Sequence, residues 1–200
     1  MKNFDTLASL VSFLSSNEDE HLRGHVITRN KDGKKTRIIK RFSITKSNYE
    51  DVYIEAVQLC REHGARFYVN PTPKSYESIA YDVLVETAES IKHGDFKYVR
   101  RLYDSVADRN RGIRGKSFWL LDVDFDYDFG PTPGFKAFVE DMKEVFSKES
   151  DCSFLIKTKG GVHLLFRPYN VDYDGLAALA AKHGVDYELK KNALTLIYWG

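Results

Sequence analysis

Two aspartates close an apolar segment near the middle of the chain. In a β-strand over residues 118–124, successive side chains point to opposite faces, so Asp122 and Asp124 share one face with Leu120. Two ionised carboxylates at this spacing repel each other and lose hydration when partly buried, which requires a cation or a shared proton. A hard divalent cation such as Mg²⁺ or Mn²⁺ is the usual partner of such a pair. The alternative is a solvated acidic loop that follows a core strand.

A histidine, His163, lies in a second apolar segment downstream. Gly160 and Gly161 predict a turn between two short strands, with His163 in the second strand. Lys157 and Lys159 add positive charge beside the exposed backbone N–H groups of the glycines, and this combination suits phosphate oxygens. The alternative is a histidine that is hydrogen-bonded inside the core.

The composition indicates a globular protein with one domain or two small modules. The chain has 200 residues, of which 42% are hydrophobic, so it can bury a sizeable core. No apolar run approaches the ~20 residues of a membrane helix, and the N-terminus lacks a basic segment followed by a long apolar stretch. We therefore expect a cytoplasmic protein without a membrane partner. Cys60 and Cys152 have no metal-ligand spacing, which favours two reduced thiols.

Basic residues cluster in the first half of the chain. Residues 1–116 contain 21 Lys or Arg against 16 Asp or Glu, whereas residues 117–200 contain 9 against 13. The basic clusters, at residues 29–46 and 97–116, suit a polyanionic backbone, although charged clusters are also typical of solvated surfaces. The candidate nucleic-acid contacts are Lys34, Lys35, Arg37, Lys40, Arg41, Arg109, Arg111 and Arg114.

Apolar spacing and turn residues predict the elements of the first half. These are a helix over 4–14, a hairpin over 25–44, a helix over 47–64, a short strand over 66–69 that ends at the prolines of 70–73, and a helix over 76–91. The polar, glycine-containing residues 104–116 predict a flexible connection, which places a module boundary at residue 116.

The second half predicts alternating strands and helices. The strands are 118–124, 153–157, 162–167 and one strand or a hairpin in 185–198, and the helices are 133–146 and 174–183. The order βαββαβ is the ferredoxin-like pattern that RNA-recognition motifs (RRMs) share. The predicted fold class is therefore α+β, with an RRM-like module over residues 117–200 that follows a smaller α/β module over residues 1–116.

The two motifs resemble those of the archaeo-eukaryotic primase superfamily. Residues 118–124 resemble its first motif, a hydrophobic stretch that ends in DxD, and residues 157–166 are similar to its second motif, a glycine-rich strand that ends in His. The resemblance covers residues 117–198 and reaches the first half only loosely. It implies an RRM-like catalytic module of the short, stand-alone phage or bacterial type, with a separate helicase as a further partner.

The resemblance also implies roles for individual residues. In the superfamily two acidic residues bind divalent metals and the histidine contacts the phosphates of the incoming nucleotide, which points to Asp122, Asp124 and His163. A third acidic residue completes the metal site in that superfamily. Its candidates are Asp186, which is best placed, Asp172 and Glu188.

The implied activity is primase-polymerase nucleotidyl transfer in DNA replication. It requires Mg²⁺ or Mn²⁺, a nucleoside triphosphate and a nucleic-acid template or primer, and Lys157, Lys159, Gly160, Gly161 and His163 would hold phosphate. The superfamily usually has a small hydroxyl residue two positions before the histidine, where this chain has Gly161.

Two other classes of function remain open. Glu188 and Lys190 form an ExK tripeptide, which together with Asp122 or Asp124 could build a metal-dependent nuclease centre. A non-catalytic nucleic-acid or nucleotide-binding module is the second alternative, although the expected aromatic pair on the central strands is missing. For a polymerase, Asp186→Asn should abolish transfer and Lys190→Ala should leave it largely unharmed, and a nuclease should show the reverse.

Overall fold

The structure, a computed structural model, has mixed α+β architecture. It describes residues 2–14, 17–113, 116–124, 133–146, 154–158, 161–166, 173–191 and 193–199. The chain divides into two compact units, one formed by Met1–Lys116 together with Ile197–Gly200 and the other by Ser117–Leu196. Each unit contains a four-stranded sheet. No helix in the described part of the chain is both long and apolar enough to cross a membrane.

The first unit is a sheet with helices that pack on it. Its elements are α1 (Lys2–Leu14), β1 (Glu20–Thr28), β2 (Arg37–Ile44), α2 (Tyr49–His63), β3 (Arg66–Ser75), α3 (Tyr76–His93) and α4 (Leu102–Arg109). The strand order is β2-β1-β3-β8, where β8 (Thr195–Trp199) comes from the end of the chain. The predicted helices and the predicted hairpin are confirmed. Cys60 of α2 is a buried free thiol whose pKa burial raises to about 12, whereas Cys152 lies outside the described residues.

Two predictions for the first unit are wrong. The third strand does not end at residues 70–73 but continues to Ser75. The β1–β3 register shifts between His21 and Arg23, opposite the two prolines, and a β-bulge of this kind tolerates residues without an N–H group. Residues 104–109 of the predicted flexible connection belong to α4, because Leu102 and Val106, spaced by about one helical turn, pack with Ile79 of α3.

The second unit follows the order strand, helix, strand, strand, helix, strand. Its elements are β4 (Trp119–Asp124), α5 (Pro133–Phe146), β5 (Phe154–Lys157), β6 (Gly161–Phe166), α6 (Tyr173–His183) and β7 (Glu188–Lys191). The strands lie in the order β5-β6-β4-β7 and every adjacent pair is antiparallel. The predicted helices and the first three predicted strands are confirmed in this unit.

The end of the chain does not form a hairpin. Residues 185–198 were expected to hold one strand or a hairpin, but β7 pairs with β4, whereas β8 joins the sheet of the first unit. Leu196 and Ile197 of β8 are buried. Pairing of β8 with β3 covers the backbone groups that β3 would otherwise leave open at a sheet edge.

The core of the second unit defines which face of the sheet carries polar residues. Leu121 and Val123 of β4 and Leu164 of β6 pack in one buried cluster with Phe138 of α5 and Leu176 of α6. Because side chains alternate along a strand, the residues between them point to the opposite face. That face of β4 and β6 therefore carries the residues with candidate chemistry.

Candidate active site

Asp122 and His163 are direct neighbours across the second sheet. Asp122 of β4 pairs with His163 of β6, and the Asp122 Oδ1 atom lies 3.2 Å from His163 Nε2. The side chains are 18% and 10% exposed, respectively. The expectation that His163 lies on the strand beside Asp122 is confirmed, and so is the expectation that Asp122 and Asp124 share a face of β4.

A buried hydroxyl holds the other side of the histidine ring. The Nδ1 atom of His163 lies 2.9 Å from Oγ1 of Thr195, which is fully buried. The Asp122 carboxylate can only accept, so Nε2 carries the proton and donates to it, and Nδ1 of a neutral ring then accepts from the Thr195 hydroxyl. The ring orientation is thus fixed at both nitrogens.

Lys190 balances the charge of Asp122 from the other neighbouring strand. Lys190 Nζ lies 2.6 Å from Asp122 Oδ2 and 2.9 Å from Glu188 Oε2. In the β4–β7 register Glu188 stands opposite Asp122 and Lys190 opposite Leu120, so all three charged side chains share one face. The carboxylate pair was expected to need a cation or a shared proton, with Mg²⁺ or Mn²⁺ as the usual partner, but here an ammonium group and a histidine compensate Asp122. The i, i+2 spacing of Glu188 and Lys190 was the available signal for this contact.

The surroundings of Asp122 keep it ionised. The hydrogen bond from His163 lowers the pKa of Asp122 most strongly, burial opposes this, and the hydrogen bond from Lys190 lowers it further, to about 2. Burial by itself would lower the pKa of Lys190, but hydrogen bonds to Asp122 and Glu188 raise it above its ordinary value. Asp122 and Lys190 therefore form an ion pair over the whole physiological pH range.

The remaining acidic candidates differ in position. Asp124 is exposed at the end of β4, opposite Gly161. Asp186 is also exposed and precedes β7, which begins at Glu188. The side chain of Glu188 is 71% exposed. The structure therefore places Glu188, and not Asp186, at the register position opposite Asp122, while Asp172 lies outside the described residues.

The carboxylates on this face are chemically suitable ligands for a hard divalent cation. In the structure, however, they are not arranged as a metal site. Carboxylate oxygens of Asp122, Asp124 and Glu188 are the type of ligand that Mg²⁺ and Mn²⁺ prefer. Among the residues that the structure describes, however, no three His, Cys, Asp or Glu side chains are grouped closely enough to hold a metal ion. A cation bound to Asp122 Oδ2 would compete with the ammonium group of Lys190 for that oxygen.

Gly161 has a packing role that the sequence did not reveal. A Cβ atom at this position would lie 1.9 Å from the carbonyl oxygen of Val123 and 2.9 Å from Cα of Asp124. Only a glycine allows the backbones of β4 and β6 to approach this closely beside the two aspartates.

The phosphate-binding candidates are only partly described. Lys157 is exposed at the end of β5, opposite Val162 of β6. The N–H group of Thr158 donates to the carbonyl oxygen of Gly161 at 2.9 Å and closes the connection between the two strands. Lys159 and Gly160 lie outside the described residues.

The structure separates the basic candidates of the first unit into two groups. Several make polar contacts within the unit: Lys34 with the His63 carbonyl, Lys40 with Glu55, Arg41 with Asp108 at 2.7 Å, and Arg109 with Glu86 at 2.7 and 2.8 Å. The others, Lys35, Arg37 and Arg111, are exposed and form no ion pair within the described residues. Arg114 lies outside them.

Asp108 binds Arg41 within the first unit. Its Oδ1 atom lies 3.1 Å from His25 Nε2 and 3.4 Å from Arg23 Nη2, in addition to the contact between its Oδ2 atom and Arg41. Burial alone would raise the pKa of Asp108, but hydrogen bonds from His25 and Arg41 hold it far below the ordinary range. Arg41 thus belongs to an internal ionic network, which argues against its predicted contact with nucleic acid.

A comparison with protein families, curated proteins and solved structures finds no match to this chain.

Proposed function

We propose that the protein is a metal-dependent nucleotidyltransferase of the primase-polymerase type, with an RRM-like catalytic module formed by the second unit. The observation that carries the proposal is the shared sheet face of Asp122, Asp124 and His163, with Asp122 and His163 in contact across β4 and β6. The order β5-β6-β4-β7 supports the RRM-like interpretation, because the first and third strands of the βαββαβ order lie side by side at the centre of the sheet.

The residues on this face have distinct roles in the proposed reaction. Asp122 and Asp124 would hold Mg²⁺ or Mn²⁺, together with Glu188 or Asp186. A metal held there would lower the pKa of the attacking 3′-hydroxyl group and neutralise charge on the triphosphate. His163 would donate from Nε2 to a phosphate oxygen, while Thr195 holds the ring. Lys157 stands opposite Val162 of the buried cluster and therefore belongs to the other face of the sheet.

The first unit would provide the contacts with the nucleic-acid backbone. Its exposed basic residues without an ion pair in the described part of the chain are the best candidates, namely Lys35, Arg37 and Arg111. Neutralisation of phosphates by such residues makes binding depend steeply on salt concentration.

A nuclease is the second candidate, and two contacts of Lys190 favour it. Lys190 lies 2.6 Å from Asp122 and 2.9 Å from Glu188, so the ExK tripeptide and an aspartate converge on one face. In such a centre the lysine would orient a water molecule for attack on a phosphodiester. The polymerase proposal instead assigns Lys190 the role of a counter-ion to Asp122.

Incubation with a labelled primer on a template, deoxyribonucleotides or ribonucleotides, and Mg²⁺ or Mn²⁺ distinguishes the candidates. A polymerase extends the primer, a nuclease shortens it, and a non-catalytic module binds it unchanged. Asp122→Asn should lower extension by at least about 100-fold. The matched control is Asp174→Asn, which removes an exposed carboxylate from α6 of the same unit and should leave extension unchanged. Degradation or unchanged primer with the intact protein contradicts the proposal.

A further inference from the structure

Helix α3 carries apolar residues on two opposite sides. On one side Ile79 and Val83 pack against α4. On the other side lie the residues of the α3 stripe, which share an exposed helical face: Tyr81, Leu84, Val85, Ala88 and Ile91. The four large members of the stripe are between 61% and 66% exposed.

The exposure of the α3 stripe indicates a binding surface. Its spacing of i, i+3, i+4, i+7 and i+10 is that of a helix face that packs against another helix. Isolated apolar residues on a surface are ordinary, but a contiguous apolar face on a regular helix is typical of a protein interface. The helix itself is well formed, since Ser75 Oγ accepts from the Ser78 N–H group at its start and Gly94 ends it with φ 65°.

We propose that the α3 stripe binds the α3 stripe of a second copy of this chain, with the two helices antiparallel. The charges at the two ends of the stripe favour this occupant. Glu77 lies on the same helical face near the start of α3, and Lys92 lies on it near the end. Two antiparallel copies therefore bring the acidic end of one stripe to the basic end of the other.

The size of the side chains supports the same arrangement. A two-fold axis between Leu84 and Val85 places Glu77 of one copy level with Lys92 of the second, and Tyr81 level with Ala88. A large ring thus faces a small residue, and each opposite-charge pair occurs twice. Within one chain Lys92 lies 3.7 Å from Glu89, but both side chains are more than half exposed, so this contact competes only weakly.

The interface predicts a dimer that depends on concentration. One pair of short helices buries less than the ~1,600 Å² of a standard interface, so dissociation in the micromolar range is expected. Sedimentation velocity over a range of protein concentrations measures this equilibrium directly.

A polar substitution in the stripe provides the first test. Leu84→Asp should raise the dissociation constant by at least about tenfold, because it places two carboxylates beside the two-fold axis. The matched control is Ile54→Asp on α2, where the isoleucine is 65% exposed but lies outside the stripe, and it should leave dimerisation unchanged. Circular dichroism of both variants checks that the fold persists.

A charge exchange provides the second test. Glu77→Lys and Lys92→Glu should each weaken the dimer roughly threefold to tenfold, and the double variant should recover the affinity of the original chain. A protein that stays monomeric at the highest concentration, or a dimer that is insensitive to Leu84→Asp, overturns the proposal. Loss of dimerisation in both single variants without recovery in the double variant also overturns the antiparallel arrangement. The test is independent of catalytic activity.

Discussion

The Oδ1 atom of Asp122 lies 3.2 Å from Nε2 of His163, and the Oδ2 atom of the same carboxylate lies 2.6 Å from Nζ of Lys190. One carboxylate on the central strand β4 is therefore held from both neighbouring strands, by an imidazole on β6 and an ammonium group on β7. Thr195 fixes the far nitrogen of the imidazole. Because each oxygen of Asp122 already has a cationic or N–H partner, a ligand that enters this face competes with these contacts.

The stability of the fold should depend on pH through Asp122. Its pKa is lowered from 3.8 to about 2, first by the hydrogen bond with His163. A carboxyl group with a lowered pKa stabilises the folded state above its unfolded pKa, so the contribution is present above about pH 4 and is lost as the pH falls toward 2. The shift corresponds to about 2 kcal/mol. In urea unfolding, Asp122→Asn should lower the free energy of unfolding by about this amount at pH 6, and most of the difference should be lost near pH 2; a difference of full size there would contradict the assignment.

Lys190→Ala should strengthen metal binding and leave nucleotidyl transfer largely unharmed. The ammonium group competes with a cation for Asp122 Oδ2, so its removal takes away a positive charge and an existing partner. We expect the Mn²⁺ concentration for half-maximal extension to fall by roughly threefold to tenfold. The control is Lys182→Ala, which breaks an exposed ion pair with Asp141 in the same unit. Complete loss of activity in Lys190→Ala would favour the nuclease.

Glu188→Gln should impair transfer more than Asp186→Asn does. Glu188 stands opposite Asp122 in the β4–β7 register, whereas Asp186 precedes the paired part of β7. This reverses the expectation from the sequence, which placed Asp186 at the metal pair. Single-turnover extension rates at saturating Mn²⁺ compare the two variants, and a loss confined to Asp186→Asn would restore the original assignment.

Gly161→Ala should destabilise the second unit. The new methyl group would meet the backbone of Val123 and Asp124, and backbone atoms cannot move aside as a flexible side chain does. We expect a loss of at least about 2 kcal/mol in the free energy of unfolding. Gly184→Ala is the comparison: Gly184 also lies in the second unit and has open space around it, although its φ of 63° adds strain of its own. Equal stability of Gly161→Ala and the original chain would show that β4 and β6 can separate there.

The sequence by itself determined the two helices and the first three strands of the second unit and the face on which its chemistry lies. A strand alternates with a period of two residues, so the pattern around Asp122, Asp124 and His163 predicted their orientation without any knowledge of the partner strands. The patterns that predicted helices α1, α2, α3, α5 and α6 likewise depend only on residues that are close together in the sequence. Local patterns fail where prolines meet a bulge, as in β3, or where few apolar residues define a helix, as in α4.

Only the tertiary structure decided which side chains meet. Lys190 reaches Asp122 from 68 positions away and Arg41 reaches Asp108 from 67, and such contacts depend on strand order, register and helix packing that no local spacing encodes. The same holds for β8, which follows β7 in the sequence but joins the sheet of the first unit. Charge compensation is a property of the assembled surface, since it depends on distance in space and on burial. For this reason the sequence predicted a cation or a shared proton beside Asp122, whereas in the fold His163 and Lys190 are its partners.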